Sequence, residues 1–457
     1  MGTACLLLLG ACSSERGESE TTTSTGATSS TGATITAAVT TTEADPCAVT
    51  LEATDVGITA DSITIEVIAD TGSPMIPGLA RGSVEAVQAW ADKINGEGGL
   101  GCRTVEVRTF DSKMDPNETR SGMIDACQSA FAMVGNTTLA VGDMSPVAEC
   151  VDGSGNPTGL PDINWTGISD VAACNETSFW AMGGQHSCPP AQGERTFNAT
   201  TVYGDYIREQ IGGDAHGFFI LPGSTPGLTA AVMPFIQQMR MQGLSGPAIG
   251  VLGSNPQSAY TPIVADMEAS GAQFVWDSAD PSSFLLLQRE AAAQGVDIPN
   301  WFCGNCYDPD YVAGAGDLAS GLHVMVSVLP YEEADINESL GTYVSAVPTR
   351  DLFSMGSWLA ALLFQQAVED VVDQYGPNGL TRESLLRALE GIHDFDGGGI
   401  EGPVDPSQQV PPNCMVVLSL NEAGEYERLY PEQPGTFACG DIVQITLDPM
   451  AAMSQEN

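Results

Sequence analysis

The sequence predicts an α/β protein made of two doubly wound, flavodoxin-like lobes. Strand patterns and helix patterns alternate along the chain in two series, which is typical of wound sheets with a largely parallel core. The first strand is apolar on both faces, as a strand inside a parallel sheet must be. Polar turns follow the strands at their carboxyl ends, which is where wound sheets bind ligands.

The opening strand–helix–strand unit carries the clearest pattern. A nearly continuous apolar run from Ser62 to Asp70 predicts a buried strand that ends at a carboxylate. Residues 81–95 place apolar side chains on one stripe and predict a helix that ends at Gly96. The alternating pattern of residues 105–111 predicts an edge strand. An inner first strand beside an outer second strand predicts the strand order 2-1-3-4-5.

The remaining elements follow in alternation. Further strands are predicted over 131–135, 159–166, 216–221, 248–252, 272–276, 323–328 and 414–420. Helices are predicted after Asp115 and over 226–242, 260–270, 354–375 and 382–390. We expect Pro234 to interrupt the second of these helices, because proline removes a backbone donor and crowds the preceding turn.

The composition excludes two classes of partner. The chain has 15 Lys and Arg against 58 Asp and Glu, a net charge of −43. We therefore expect no binding to nucleic acid or to an anionic membrane through a basic patch. Such a charge is typical of a soluble protein, and we expect a monomer. The 457 residues are 43% hydrophobic, enough to bury the cores of two or three domains.

The amino-terminal segment indicates export. Residues 1–12 are apolar, are too short to cross a bilayer and end in small residues before a cysteine. Leu9–Cys12 resembles the bacterial lipobox, which predicts acylation of Cys12 and a lipid anchor at the cell surface or in the periplasm. A basic n-region is missing, so the start is truncated or misplaced, and an incidental leucine run is the alternative. Residues 13–50, rich in Ser, Thr and Gly, predict a flexible linker.

Ten cysteines follow the predicted signal, and an even number in an exported protein indicates disulfides. They are Cys47, Cys102, Cys127, Cys150, Cys174, Cys188, Cys303, Cys306, Cys414 and Cys439. Pairing each with its neighbour in this order closes the shortest loops, although the sequence alone does not determine the connectivity. The spacing of Cys303 and Cys306 is also that of a redox pair, but an exported chain favours a structural bridge.

Polar residues at the predicted strand ends are the candidate ligand-binding groups, because a small polar solute needs donors, acceptors and an aromatic or apolar wall. They are Asp70, Ser73, Asn136, Thr137, Thr138, Trp165, Thr166, Asp277, Asp280, Asn305 and Tyr307. Turn formation is the alternative role for Asp70, and core packing is the alternative for Trp165. Helix capping is the alternative for the other two aspartates. The four histidines are scattered, so we expect no metal site and no cofactor.

Several motifs, taken together in order, resemble a known family. They are Ile63–Asp70 with Gly72-Ser73, Ile94–Gly99 before a strand ending in Asp111, Asp115-Pro116, Ala132–Gly135, Gly314–Gly321 before 323–328, Phe353–Trp358 and Leu380–Leu389. This order resembles the type I periplasmic-binding-protein family over residues 60–440. The most similar branch is that of the branched-chain amino acid and amide receptors of ABC importers, the leucine/isoleucine/valine-binding proteins.

The resemblance implies two lobes joined by a three-crossover hinge, with lobe one at 60–187 and 331–396 and lobe two at 188–330 and 397–457. It also implies hinge closure on a small-molecule solute and delivery of that solute to the membrane permease of an ABC importer.

The binding residues of the family carry over only in part. The serine with which relatives hold the ligand carboxylate falls near Thr138–Leu139. The lobe-two acid that pairs with the α-amino group falls near Gly304-Asn305, where no acid stands. The nearby acids are Asp277, Asp280 and Asp308. This departure counts against an ordinary branched-chain amino acid as the ligand.

Two other function classes stay open from the residues alone. An exported α/β enzyme of the hydrolase type is the first, but the chain contains no Gly-x-Ser-x-Gly, His-Glu-x-x-His or phosphate-binding loop. A ligand-sensing pair of lobes without a transport role is the second. We expect a non-catalytic receptor for an amino acid or amide.

Overall fold

The computed structural model describes residues 47–74, 77–167, 169–188, 193–223, 226–252, 254–421 and 424–453. The predicted signal, the lipid acceptor Cys12 and the linker up to residue 46 lie outside these residues. All described residues belong to one compact unit. Among them, no helix combines the length and the apolar character needed to cross a membrane.

Sixteen strands and thirteen α-helices alternate along the described chain. The strands are β1 (Ser62–Ala69), β2 (Thr104–Asp111), β3 (Ala132–Asn136), β4 (Asp162–Asn164), β5 (Ser178–Trp180), β6 (Arg195–Thr200), β7 (Ala215–Pro222), β8 (Leu244–Ser245), β9 (Ala248–Val251), β10 (Phe274–Asp277), β11 (Trp301–Cys303), β12 (Leu322–Val326), β13 (Cys414–Leu420), β14 (Tyr426–Tyr430), β15 (Ala438–Cys439) and β16 (Ile442–Leu447). The helices are α1 (Arg81–Gly96), α2 (Pro116–Ser129), α3 (Ser145–Ala148), α4 (Asp170–Ala173), α5 (Val202–Ile211), α6 (Pro226–Met241), α7 (Thr261–Ser270), α8 (Pro281–Gln294), α9 (Pro309–Ala315), α10 (Glu338–Ala346), α11 (Leu352–Tyr375), α12 (Arg382–Glu390) and α13 (Pro449–Met453).

The first sheet has five parallel strands in the order β2-β1-β3-β4-β5, which confirms the predicted order. The inner strand β1 buries Ile63, Ile65 and Val67 completely. Helix α11 returns late in the chain and packs on the same layer, where the Trp90 Nε1 of α1 donates a hydrogen bond to Gln365 Oε1 at 3.0 Å. The helices that cover the first sheet therefore come from two separate parts of the sequence.

The second sheet is separate from the first and follows the order β14-β13-β12-β11-β10-β7, with β8 and β9 both pairing with β7. Strands β10 to β12 are parallel, whereas β13 and β14 run antiparallel at one edge. A third, two-stranded antiparallel sheet pairs β6 with β16. Two separate wound sheets confirm the predicted α/β fold class.

Helix α6 differs from the prediction, because it continues through Pro234 without a break. The helix buries Met233, Ile236 and Met239 against the second sheet. This apolar packing offsets the backbone hydrogen bond that proline cannot make.

Five disulfides join the cysteines in the neighbour pairing, 47–102, 127–150, 174–188, 303–306 and 414–439.

Two chain crossovers between the sheets are joined by backbone hydrogen bonds. The Leu329 N–H donates to the Ile400 carbonyl at 2.7 Å, and Val328 pairs with Glu401. The lobe limits near residues 187, 330 and 396 stay a prediction.

Candidate functional site

Asp70, the residue just after β1, is fully buried and connects three loops. Its Oδ1 accepts hydrogen bonds from the Ser112 hydroxyl and the Met114 N–H, both at 2.6 Å. Its Oδ2 accepts from the Leu139 N–H at 2.8 Å. These contacts match the turn-forming role, and a ligand contact by Asp70 stays a prediction.

Replacing Asp70 with asparagine should lower the free energy of unfolding by about 2–3 kcal/mol, because an amide N–H₂ would face the Leu139 N–H and leave a buried donor without an acceptor. Urea denaturation measures the loss. The matched control is Asp61→Asn at an exposed residue just before the same strand; it should change stability by less than about 0.5 kcal/mol. Equal stabilities for the two variants would contradict the role given to Asp70.

The last residue of β3, Asn136, joins this strand to β1 and β4. Asn136 Oδ1 accepts from the Ile68 N–H at 2.7 Å, and its Nδ2 donates to Asp162 Oδ1 at 2.9 Å. Burial raises the pKa of Asp162 to about 6. Thr137 is buried with its hydroxyl against the hydroxyl of Ser83 at the start of α1. Thr138 is half-buried and stands at the edge of this network.

An aromatic wall lies beside these polar loops. The Trp165 ring packs edge-on against Phe353 with ring centroids 5.6 Å apart. A Cβ on Gly356 would lie 2.5 Å from the Trp165 Cβ, so only glycine lets α11 approach this closely. Phe353 is half-buried, and its carbonyl lies 3.4 Å from the Ser83 hydroxyl. Thr166 next to the wall is half-buried, and Ser73 is buried.

On the second sheet, the loops after β10 and β11 contain the other candidates. Asp277 is fully buried, which raises its pKa well above the usual range. Asp280 caps α8, accepting from the Ser283 N–H at 3.0 Å, which is its alternative role. Asn305 donates both of its amide hydrogens to the loop after β10. A ligand contact by any of these three residues stays a prediction.

The two sets of loops meet through tyrosines. The Tyr307 ring stacks on Tyr331, with centroids 4.6 Å apart. The Tyr307 hydroxyl accepts from the Tyr331 N–H at 2.7 Å and donates to Glu332 at 2.6 Å. Burial raises the pKa of Asp351, the residue that caps α11, and repulsion from Asp308 raises it further. The Tyr331 hydroxyl lies 3.5 Å from the Asp351 carbonyl, and the Phe353 carbonyl lies beside the Ser83 hydroxyl near the loop after β3. We call the region bordered by these loops the inter-sheet cleft.

Several residues at this cleft were not predicted from the sequence. They are Ser83, Tyr331, Asp351, Phe353 and Tyr426. The sequence indicates the segment beginning at Phe353 only as part of a family motif at the start of a helix. The tyrosines come from distant parts of the chain, and no local pattern indicates that they meet.

A cavity lies elsewhere in the molecule. It has a volume of about 730 Å³ and is lined by polar groups that include Asn198, His393 and Gln444, beside the Cys174–Cys188 disulfide. None of the predicted ligand residues lines it. Within the described residues, no three His, Cys, Asp or Glu side chains are grouped to hold a metal ion.

Comparison with known proteins agrees with this architecture. The family model described as "Periplasmic binding protein" matches residues 62–425. A fatty acid ABC transporter substrate-binding protein from Thermomonospora curvata is similar with a TM-score of 0.60 and 16% identity, covering 88% of this chain and 96% of that chain. A branched-chain amino acid ABC transporter protein from Thermus thermophilus with bound valine has a TM-score of 0.60 and 14% identity, covering 81% and 95%.

LivJ from Streptococcus pneumoniae in complex with isoleucine has a TM-score of 0.58 and 12% identity, covering 84% of this chain and 100% of that chain. No curated protein sequence matches this chain significantly. At these identities the likeness to solved structures establishes the fold.

Proposed function

Since this chain belongs to the periplasmic binding protein family, we propose that it is the extracytoplasmic solute-binding protein of an ABC importer. It captures a small polar solute between its two sheets by hinge closure and delivers it to a membrane permease. It acts as a monomer, held at the membrane through a lipid on Cys12 and the linker of residues 13–50. No catalytic role is assigned to it.

The observation that supports the proposal is a series of contacts that connects loops beside two separate sheets. Tyr307, at the carboxyl end of β11, contacts Tyr331 on a crossover. Asp351 caps the helix that contains Phe353. The Phe353 carbonyl lies beside the Ser83 hydroxyl, which contacts Thr137 in the loop after β3. Two sheets that share one cleft and are linked by crossovers can enclose a solute by a hinge movement.

The chemistry of the cleft favours an amino acid or an amide. Hydroxyl groups and loop amides can hold a carboxylate or a carbonyl group, and Trp165 with Phe353 supplies an aromatic wall. None of the residues named as ligand-binding candidates is a lysine or an arginine. With a net charge of −43, the protein should also repel anionic solutes. Neutral, zwitterionic or cationic solutes therefore fit better than dicarboxylates or phosphates.

Thermal denaturation across a panel of amino acids, amides, urea and small carboxylates tests this function. A bound solute at 100 times its Kd should stabilise the protein by about 2.7 kcal/mol. Phe353→Ala should weaken binding of that solute about tenfold or more, because it removes half of the aromatic wall. The matched control is Leu352→Ala at the neighbouring, more exposed position of the same helix, and it should bind normally.

Two outcomes would contradict the proposal. The first is a panel in which no compound raises the melting temperature of the wild-type protein. The second is hydrolysis of a bound amide with turnover, which would support the exported-enzyme alternative.

A further inference from the structure

The disulfide between Cys303 and Cys306 closes the shortest loop of the five. Its cysteines are 3 positions apart, whereas the other bridges span 14 to 55 positions. In the chain-entropy account, a disulfide stabilises a fold more as its loop becomes longer. This fully buried bridge therefore contributes least to the fold as a whole, and its location at the cleft indicates a local role.

The two residues inside the bridge bond to the neighbouring loop. The Gly304 N–H donates to the Asp277 carbonyl at 2.9 Å. The Asn305 Nδ2 donates to the carbonyls of Ser278 at 2.9 Å and Ala279 at 3.0 Å. The loops after β10 and β11 thus form one connected unit on the second-sheet side of the cleft.

The residues just after the bridge contact strand β14 and the crossover at Tyr331. The Tyr426 hydroxyl donates to the Cys306 carbonyl and accepts from the Asp308 N–H at 3.1 Å. Tyr307 lies between these two residues and stacks on Tyr331. Any shift of the loop after β11 would therefore move Tyr307 relative to the opposite side of the cleft.

We propose that the Cys303–Cys306 disulfide and the Asn305 side chain together hold the loops after β10 and β11 in the conformation that binds the solute. We call this pair the clamp. The inference rests on the proposed function and makes Asn305 a positioning residue rather than a direct ligand contact. Without the clamp, the loops would have to become ordered when the solute binds, and this cost would lower the affinity.

The test compares Cys303→Ala/Cys306→Ala with Cys414→Ala/Cys439→Ala, a matched control that removes a longer bridge from another part of the second sheet. Hydrogen exchange is measured by mass spectrometry on the ligand-free protein. Exchange in residues 277–280 and 303–308 should be about tenfold faster in the first variant and unchanged in the control. Asn305→Ala should produce the same local increase. The melting temperature should also decrease less in the first variant than in the control.

Titration calorimetry with L-isoleucine measures the effect on binding. The affinity should fall about tenfold in the first variant and stay within about twofold in the control. Unchanged exchange at both loops, or faster exchange spread over the whole chain, would overturn the clamp. If the wild-type protein does not bind L-isoleucine, this solute is excluded, in agreement with the missing acid at Gly304-Asn305, and the exchange data alone decide the clamp.

Discussion

Replacing Arg382 with methionine should lower the free energy of unfolding by about 3–5 kcal/mol. The side chain is fully buried at the start of α12. Its guanidinium donates to the backbone carbonyls of Val151 at 2.7 Å, Cys127 at 2.9 Å and Ala130 at 2.5 Å. Methionine would fill part of the space, but the carbonyl groups would stay buried without a donor.

The position of Arg382 explains why the effect should be large. The carbonyls it binds come from the end of α2 and from the loop after α3, whereas α12 lies more than 200 residues later in the chain. The side chain of Arg382 therefore connects α12 to α2 and to the loop after α3. Arg382→Lys should recover only part of the loss, since a single ammonium group cannot reproduce the planar fork of guanidinium donors.

Urea denaturation of three variants tests this role. Arg387→Met is the matched control, because Arg387 lies on the same helix, is 58% exposed and pairs only with Glu383 at the surface. It should change stability by less than about 0.5 kcal/mol. Similar midpoints for Arg382→Met and Arg387→Met would show that the buried hydrogen bonds do not stabilise the fold.

The second large effect is a change of folding stability with pH that depends on Glu66. This residue lies on the inner strand β1 with only 1% of its surface exposed. Its carboxylate makes no hydrogen bond within the described part of the chain, although Arg108 Nε lies 3.4 Å from Oε2. Burial raises the pKa of Glu66 from 4.5 to about 7, and repulsion from Asp125 adds to this rise.

A raised pKa of an acid makes the folded state less stable as the pH increases. Between pH 4.5 and about 7, folded Glu66 keeps a proton that the unfolded chain has already lost. The resulting loss of stability starts near pH 4.5, is complete above pH 7 and reaches at most about 3 kcal/mol. Glutamine mimics the protonated acid at every pH.

Glu66→Gln should therefore unfold at a higher urea concentration than the wild-type protein at pH 8, and at a similar concentration at pH 4.5. The control is Glu106→Gln on the exposed face of the neighbouring strand β2, which should have no such pH-dependent effect. A Glu66→Gln variant that is less stable than the wild-type protein at pH 8 would show that the Arg108 contact outweighs the cost of burial.

Much of the first lobe could be predicted because its signals are local. The apolar run of β1, the stripe of α1 and the capping residue Asp115 each depend on neighbours in sequence. Physical rules for parallel sheets then lead from these elements to the observed strand order. Pairing of β6 with β16 could not be found in this way, because it joins distant segments that have no matching pattern.

The candidate site shows the same limit at the level of side chains. The predicted strand ends indicate which loops form the site. Which hydrogen bonds each polar side chain makes depends on partners from other loops. Asp70 is bound by Ser112, Met114 and Leu139, and no spacing in the sequence indicates these contacts. The meeting of Tyr307 with Tyr331 was missed for the same reason, although Tyr307 itself was a candidate.

The antiparallel ribbon of β6 and β16 has a consequence for synthesis. Thr196 and Thr446 face each other across it, 250 residues apart. During translation, β6 emerges from the ribosome well before β16, Ile442–Leu447, has been synthesised and can pair with it. All five strands of the first sheet, in contrast, are complete by residue 180. A nascent chain should thus carry β6 as an unpaired edge while residues 201–441 are synthesised, which makes chaperones relevant to its yield.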